Sequence, residues 1–225
     1  MNKIHYKKIE KKIKDFEVVK SNKTNGNNSD VYTDGDLYYK IWPSNWNKSS
    51  VVNHAVKSNF YDSYSIPILT KLIYDGEGHR GYITKKGKHL YDKSINKGYK
   101  YWDYMVENTT NVQRKDFILS LLNRSLQCQL LFTDLCPTNL LLYNDDISLI
   151  DLDSCHSFSY IFYGKPMNFE KLTAHHSDHL ERSRYSCNLL YRDYLRECLG
   201  IDYDKTINSE NKLKEIIKLI EKIGK

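Results

Sequence analysis

The chain has 225 residues, of which 40% are hydrophobic and 28% are charged. This balance is typical of a globular protein with a buried core and excludes a disordered chain as the default. No window approaches the roughly 18 uninterrupted apolar residues of a membrane span, and the first residues lack the apolar region of a signal peptide. We therefore expect no integral membrane segment and a cytoplasmic location.

The formal net charge is +6, which suits an anionic ligand such as a nucleotide. Much of this charge comes from lysines in the terminal helical segments, so we expect no nucleic-acid partner. The five cysteines are odd in number and show no Cys-x-x-Cys spacing, which predicts reduced thiols instead of a disulfide framework or a zinc site.

The chain is predicted to start with a short helix that leads into a strand. Apolar residues at positions 4, 9, 13 and 16 recur among lysines, which indicates a helix with a basic outer face. Val18 and Val19 then indicate a strand. Residues 21–29 are rich in Asn and contain Gly26, and because both residue types tolerate positive φ, this segment is predicted to be a turn.

Two hairpins and a helix are predicted next. Two β-rich runs flank the Asp34-Gly35 turn, and Lys40 lies in the middle of the second run. Residues 46–62 are predicted to be helical. A second pair of strands, 69–74 and 81–85, is joined by a turn at residues 75–78.

From about residue 111 the periodicity becomes helical, with further helices expected over residues 178–198 and 209–223. Asp178 is the expected N-cap of the first of these two. The last helix is expected to pack on the core, with a membrane-surface role as the alternative. Two regions result, a β-rich one over residues 1–88 and a helical one over residues 89–225.

The centre of the second region carries the strongest chemical pattern. An apolar run at residues 130–132 precedes Asp134, and Asn139 follows five residues later. A Leu-rich strand, an Asn-Asp-Asp turn at residues 144–146 and a second strand ending at Asp151 complete the pattern. This order resembles the catalytic loop, β-hairpin and metal-binding Asp of the protein kinase-like superfamily, which includes protein kinases, aminoglycoside phosphotransferases and lipopolysaccharide-core sugar kinases.

The resemblance implies an α+β, two-lobed protein kinase-like fold with a small β-rich lobe and a reduced helical lobe. It also implies that Asp134 orients the acceptor hydroxyl, whereas Asn139 and Asp151 hold Mg²⁺ or Mn²⁺ on the phosphates of ATP. Asp153 adds a third candidate metal ligand, since Asp-x-Asp at this place is similar to the lipopolysaccharide-core sugar kinases.

Candidate nucleotide-binding residues lie in the first region. The strand that carries Lys40 resembles the Val-Ala-Ile-Lys strand whose Lys contacts the α- and β-phosphates. Gly26 is the single glycine of the expected phosphate loop. Residues 82–87 resemble the connector whose backbone groups hold adenine. The resemblance implies that Thr84 borders the adenine pocket and that Lys85, Lys86 and Gly87 continue the connector.

Three departures from the family pattern stand out. The segment 44–66 contains no Glu to pair with Lys40, and Asp62 is its only acid. Cys136 stands where many protein kinases have Lys and many small-molecule kinases have His, which removes a cation beside the transferred phosphate. No Ala-Pro-Glu follows Asp151, so the pattern favours a sugar, glycan or other small-molecule acceptor over a protein.

Four alternatives stay open. The chain is predicted to be an ATP- and Mg²⁺-dependent kinase, but a protein Ser/Thr/Tyr kinase and a nucleotide-binding pseudokinase scaffold are also consistent with the motif. His175 and His179 have the helical spacing of a transition-metal site, although a solvated helix start explains them as well. Asp134 alone is also consistent with a turn-capping residue before Pro137.

Overall fold

The protein is described here by a computed structural model over residues 3–20, 29–43, 55, 69–76, 78–91, 102–151, 154–167 and 176–223. These residues form a mixed α+β structure, as the sequence predicted. Their strands are β1 Lys3–His5, β2 Glu17–Lys20, β3 Asp30–Thr33, β4 Leu37–Ile41, β5 Leu69–Asp75, β6 Gly78–Lys85, β7 Lys88–His89, β8 Leu130–Phe132, β9 Leu140–Tyr143, β10 Asp146–Leu149 and β11 Cys155–Ser157. Their α-helices are α1 Tyr6–Ile13, α2 Asp103–Asn108, α3 Asn111–Cys128, α4 Phe158–Tyr163, α5 His176–Asp193 and α6 Glu210–Glu221.

The first region forms a six-stranded sheet in the order β1-β5-β6-β4-β3-β2. Strand β1 pairs with β5 in parallel, and the other pairs are antiparallel. Both predicted hairpins are present, although β6 begins at Gly78, three residues earlier than expected, because pairing continues close to the turn. The helix predicted over residues 46–62 lies, apart from Ala55, outside the described residues.

The β3–β4 turn is closed by side chains that hydrogen-bond to the backbone. Gly35 has φ +106°, a conformation that side chains disfavour. Asp34 accepts hydrogen bonds from the N–H groups of Asp36 and Leu37 and from the hydroxyl of Tyr39. Burial acts to raise the pKa of Asp34, but these hydrogen bonds outweigh it and lower the pKa. The turn fixes the register of the strand that carries Lys40.

Helix α1 covers one face of the six-stranded sheet. Its buried residues Ile9 and Ile13 pack with a small apolar cluster of sheet residues, which comprises Tyr39, Ile41, Ile73 and Ile83. The lysines of the helix lie on its exposed side, as its periodicity predicted.

The helices of the second region enclose a larger core, to which Leu72 and Tyr82 of the sheet and Trp42, just after β4, also belong. Helix α3 begins with a capping box in which Thr110 and Gln113 exchange side-chain and backbone hydrogen bonds. The final helix buries its apolar stripe in this core, as predicted. None of the helices in the described ranges is long and apolar enough to cross a membrane.

Helix α5 corrects one detail of the sequence prediction. It begins at His176, so Asp178 lies in its first turn and is not the N-cap. After Asp193 the chain continues as a π-helical turn, Tyr194–Cys198. The hydroxyl of the buried Tyr194 donates to the carbonyl of Arg114 at 2.8 Å, which ties this irregular segment to α3.

All five cysteines are buried thiols. Burial raises the pKa of Cys187 and of Cys198 to about 12, which keeps both protonated at neutral pH. That these thiols are reduced and structural stays a prediction from the sequence.

Candidate active site

Two short strands, β8 and β11, bring the chain before Asp134 close to the chain after Asp151. Strand β8 pairs antiparallel with β11, so Phe132 lies opposite Cys155. Just beyond this pair, Thr133 donates to the carbonyl of Ser154 from its backbone N–H at 2.8 Å and from its hydroxyl at 3.0 Å. Asp134 therefore comes directly after a residue that is hydrogen-bonded to the segment beyond Asp151.

A tight turn orients Asn139 toward Asp134. Residues Pro137–Asn139 form one turn of 3₁₀ helix, closed by a hydrogen bond from the Asn139 N–H to the Cys136 carbonyl. The side-chain Nδ2 of Asn139 then donates to the backbone carbonyl of Asp134 at 3.0 Å and to its Oδ2 at 2.8 Å. The two motif residues are thereby held as one hydrogen-bonded unit.

The β9–β10 hairpin returns the chain to this unit. Its turn residues Asn144 and Asp145 have φ values of +48° and +67°, the left-handed conformation that the polar turn sequence predicts. After β10, the N–H of Ile150 donates to the carbonyl of Asn139 at 3.0 Å. Because Asp151 is the next residue after Ile150, this bond holds Asp151 near the backbone of Asn139.

Lys40 reaches the same place from the first region. Its Nζ forms an ion pair with Oδ1 of Asp151, and the two side chains are 13% and 29% exposed. Lys40 lies opposite Tyr82 in the β4–β6 pair, and the Tyr82 hydroxyl donates to the Ile150 carbonyl at 2.8 Å. Strands β4 and β6 of the sheet are thus joined to the segment after the hairpin by two separate side-chain contacts.

The donor set at this place suits a hard divalent cation. Because both described hydrogen bonds of the Asn139 amide use Nδ2, its Oδ1 is left as the oxygen acceptor of that side chain. Asp151 supplies a carboxylate, and carbonyl and carboxylate oxygens are the ligands that Mg²⁺ prefers. In the described part of the chain no three His, Cys, Asp or Glu side chains converge, so such a cation would need phosphate oxygens and water as further ligands.

A cavity of about 230 Å³ lies beside these residues. It contains Lys40, Asn139 and Asp151 in its wall, together with Thr84 from the predicted adenine connector. The other lining residues are Val19, Ser29, Val31, Tyr38, Tyr82, His89, Thr138 and Ile150.

Lys85, Lys86 and Gly87 follow Thr84 but are not among the residues that line the cavity. The N–H of Lys86 donates to the Asp36 carbonyl at 3.1 Å. A Cβ at Gly87 would come within 2.6 Å of a Leu141 methyl, so this glycine permits close packing against β9. Gly26 and Asp153 lie outside the described residues.

The sequence reasoning missed several residues of the cavity wall. Tyr38 was recoverable, because residues two apart in a strand share a face and Tyr38 precedes Lys40 by two. His89 carried no such signal. It reaches the cavity from β7, a two-residue strand that pairs with β9 and that no sequence pattern predicted.

Two other predicted features have different surroundings. Cys136 is buried and its Sγ lies 3.0 Å from the hydroxyl of Thr138, a cavity residue. His179 shares a hydrogen bond with the Tyr160 hydroxyl through Nδ1 at 2.9 Å, and His175 lies outside the described residues. The hydroxyl contact competes with the use of this His179 nitrogen as a metal ligand.

Comparison of the sequence with models of known protein families and with curated proteins gives no match.

Proposed function

We propose that the protein is an ATP-dependent kinase that uses Mg²⁺ or Mn²⁺ and transfers the γ-phosphate to a hydroxyl of a sugar, glycan or other small molecule. The observation that carries this proposal is the convergence of Lys40, Asn139 and Asp151 on one cavity. Asp134 is attached to that cavity through its hydrogen bonds with Asn139. Phosphoryl transfer needs this combination of a cation, oxygen ligands for a metal and a carboxylate for the acceptor.

A two-lobed protein kinase-like fold is part of the proposal, with lobes at residues 1–88 and 89–225. It is supported by a mainly antiparallel sheet in which the Lys40 strand is internal, and by candidate catalytic residues that lie before and after a hairpin. The cytoplasmic location that we propose agrees with five buried thiols and no disulfide framework.

Each residue has a role that follows from its position. Lys40 would bind the phosphates electrostatically, while Asn139 Oδ1 and the Asp151 carboxylate would hold the divalent cation. The cation would neutralise phosphate charge that develops during transfer. Asp134, held by Asn139, would accept a hydrogen bond from the acceptor hydroxyl and orient it for in-line attack. Gly26 and Asp153 would add a phosphate contact and a further metal ligand.

The ion pair between Lys40 and Asp151 indicates what nucleotide binding must change. Both groups are engaged with each other in the free protein. Metal and phosphate would replace this pairing, since Asp151 would turn to the cation and Lys40 to the phosphates. In the free protein Asp151 is the acid that pairs with Lys40, and residues 44–66 contain no Glu that could do so.

The acceptor class follows from the sequence after the motif. The chain lacks an Ala-Pro-Glu motif downstream of Asp151, so the peptide-docking platform that it marks in protein kinases is not expected. A small hydroxyl compound needs no such platform. A protein acceptor is therefore the less favoured alternative.

A nucleotide-binding pseudokinase is the second candidate function. Two observations favour it, namely the pairing of the metal-ligand Asp151 with Lys40 and the thiol of Cys136 where a cation is common in the family. This candidate predicts binding of ATP without transfer to any acceptor. Thermal unfolding with and without Mg²⁺ and ATP measures the binding half of that prediction.

The test is phosphoryl transfer from labelled ATP to a panel of sugars and glycans with the purified full chain. Asp134→Asn is expected to lower the rate by about 100-fold or more, since general-base groups contribute roughly 10²–10⁴-fold. Asp146→Asn is the matched control, because this Asp lies exposed at the start of β10. The proposal is refuted if no acceptor is labelled and the wild type and Asp134→Asn hydrolyse ATP equally.

A further inference from the structure

The cavity has a charged end and an aromatic end. Lys40 and Asp151 form the charged end, and Tyr38 and Thr84 lie two pairs away from Lys40 and Tyr82 along the β4–β6 ladder. Two residues along a strand correspond to about 7 Å, so the backbone of Tyr38 lies about this distance along β4 from the backbone of Lys40. A ligand with phosphates at Lys40 would extend its other end toward Tyr38.

Two rings approach each other at the aromatic end from different parts of the fold. Tyr38 belongs to β4 of the large sheet, whereas His89 belongs to β7, where it pairs with Leu141 of β9. Their ring centroids are 6.0 Å apart and the rings are tilted by 53°. The backbone of this strand is held further by a hydrogen bond from the Leu90 N–H to the Leu140 carbonyl.

Both rings are suited to stacking in their neutral form. Burial lowers the pKa of His89, and the nearby Lys86 ammonium lowers it further, which favours the uncharged imidazole at neutral pH. Burial raises the pKa of Tyr38, with a smaller contribution from Glu17, so the phenol stays protonated. The Lys86 ammonium also lies 5.8 Å from the centre of the Tyr38 ring, a cation–π contact that steadies the ring.

We infer that Tyr38 and His89 form a two-sided stacking site for the base of the bound nucleotide, and that this site accepts adenine and guanine alike. This inference rests on the proposed function. A flat base between two rings needs a separation of about 7 Å, given carbon contacts near 3.5 Å on each face. The observed 6.0 Å requires the rings to part by only about 1 Å and to become parallel.

The absence of base discrimination follows from the polar groups at this end. The N–H of Lys86 is already donated to the Asp36 carbonyl, so it does not read the edge of a base. Thr84 lies in the wall, and a threonine hydroxyl rotates to donate or to accept. Adenine and guanine present opposite donors and acceptors at their 6-position, and such a group tolerates both.

The test measures equilibrium binding of ATP, GTP, CTP and inorganic tripolyphosphate to the full chain in the presence of Mg²⁺. We expect ATP and GTP to bind within about threefold of each other and CTP more weakly, because stacking strength follows ring area. Tyr38→Ala and His89→Ala should each weaken ATP and GTP by roughly 5- to 150-fold, the range for loss of one base–aromatic stack. Neither should change tripolyphosphate binding, which reports that the charged end is still folded.

Two further variants complete the experiment. Tyr38→Phe retains the ring and should bind ATP as the wild type does. Tyr163→Ala is the matched control, since Tyr163 is exposed at the end of α4 and is not among the residues that line the cavity. If Tyr38→Ala does not fold, His89→Ala and the wild-type ranking of nucleotides still decide the question.

The outcomes separate this inference from the proposed function. Tight ATP binding that neither Ala substitution weakens overturns the stacking site and leaves the kinase proposal in place. A preference for ATP over GTP of more than tenfold overturns the shared acceptance of both purines. Failure of every nucleotide and of tripolyphosphate to bind overturns both proposals.

Discussion

The ion pair between Lys40 and Asp151 joins the large sheet to the segment after the β9–β10 hairpin, and its strength can be measured without any ligand. The perturbation is a double-mutant cycle with Lys40→Met, Asp151→Asn and the combined variant. We expect each single substitution to lower the free energy of unfolding and the double variant to lose less than the sum. The shortfall is the coupling energy of the pair.

The exposure of the two side chains determines the expected magnitude. Unit charges 4 Å apart attract by about 4 kcal/mol at an effective dielectric constant of 20, before desolvation and side-chain entropy are subtracted. Exposed pairs retain roughly 0–1 kcal/mol, whereas breaking a fully buried pair costs about 3–5 kcal/mol. Lys40 and Asp151 are 13% and 29% exposed and thus lie between these cases. We expect a coupling energy of about 1–2 kcal/mol.

Urea unfolding of the four proteins, monitored by circular dichroism, gives the coupling energy. Lys205 and Glu215 provide a matched control pair, because they are 2.8 Å apart but 56% and 35% exposed. Their coupling should be smaller than that of Lys40 and Asp151 and should fall more steeply with added salt. Additivity at Lys40 and Asp151 within about 0.3 kcal/mol would refute a stabilising ion pair between these two residues.

Three further results are expected. Gly81→Ala should destabilise the protein by at least about 3 kcal/mol in urea unfolding, because φ is +153° and a Cβ would lie 1.9 Å from the Lys40 carbonyl oxygen. Tyr82→Phe should cost about 1–2 kcal/mol in the same assay, since it removes the hydrogen bond to the carbonyl before Asp151. Burial and Lys3 lower the pKa of His79, so the unfolded chain binds the proton more readily and stability should fall as pH drops below about 6.5. Urea midpoints between pH 7.5 and 5.5 measure this loss, and His79→Gln should reduce it.

Each of these expectations has its own control or contrary result. Gly76→Ala should cost only about 1 kcal/mol, because Gly76 also has positive φ but has no atom near its Cβ position. Equal losses at the two glycines would contradict the overlap with the Lys40 strand. A Tyr82→Phe variant as stable as the wild type would show that water satisfies the carbonyl. A pH profile that His79→Gln leaves unchanged would assign the acid sensitivity to other groups.

Local patterns were sufficient where neighbouring residues fix the conformation. The Asp34-Gly35 turn was predicted from turn chemistry, and so was the β9–β10 turn at Asn144 and Asp145. The apolar stripes of α3 and α6 were also visible, since helical periodicity requires only nearby residues. In each case the deciding interactions lie within a few residues of one another.

Short strands with distant partners were not predictable in this way. Strands β7 and β11 contain two and three residues and depend on pairing with β9 and β8. Their own sequences carry no alternation long enough to detect. The position of His89 in the cavity follows from such a pairing, which explains why it was missed.

The sequence by itself determined the local units of the candidate site, namely the Lys40 strand, the Asp134–Asn139 turn and the hairpin that ends at Asp151. The reason is that turn residues and side-chain periodicity specify local backbone geometry. Only the tertiary structure decided which groups meet. The pairing of Lys40 with Asp151 spans 111 residues, and the approach of Tyr38 to His89 brings together residues of two separate sheets. Such contacts depend on how the apolar faces of separate elements pack, and no local pattern encodes that arrangement.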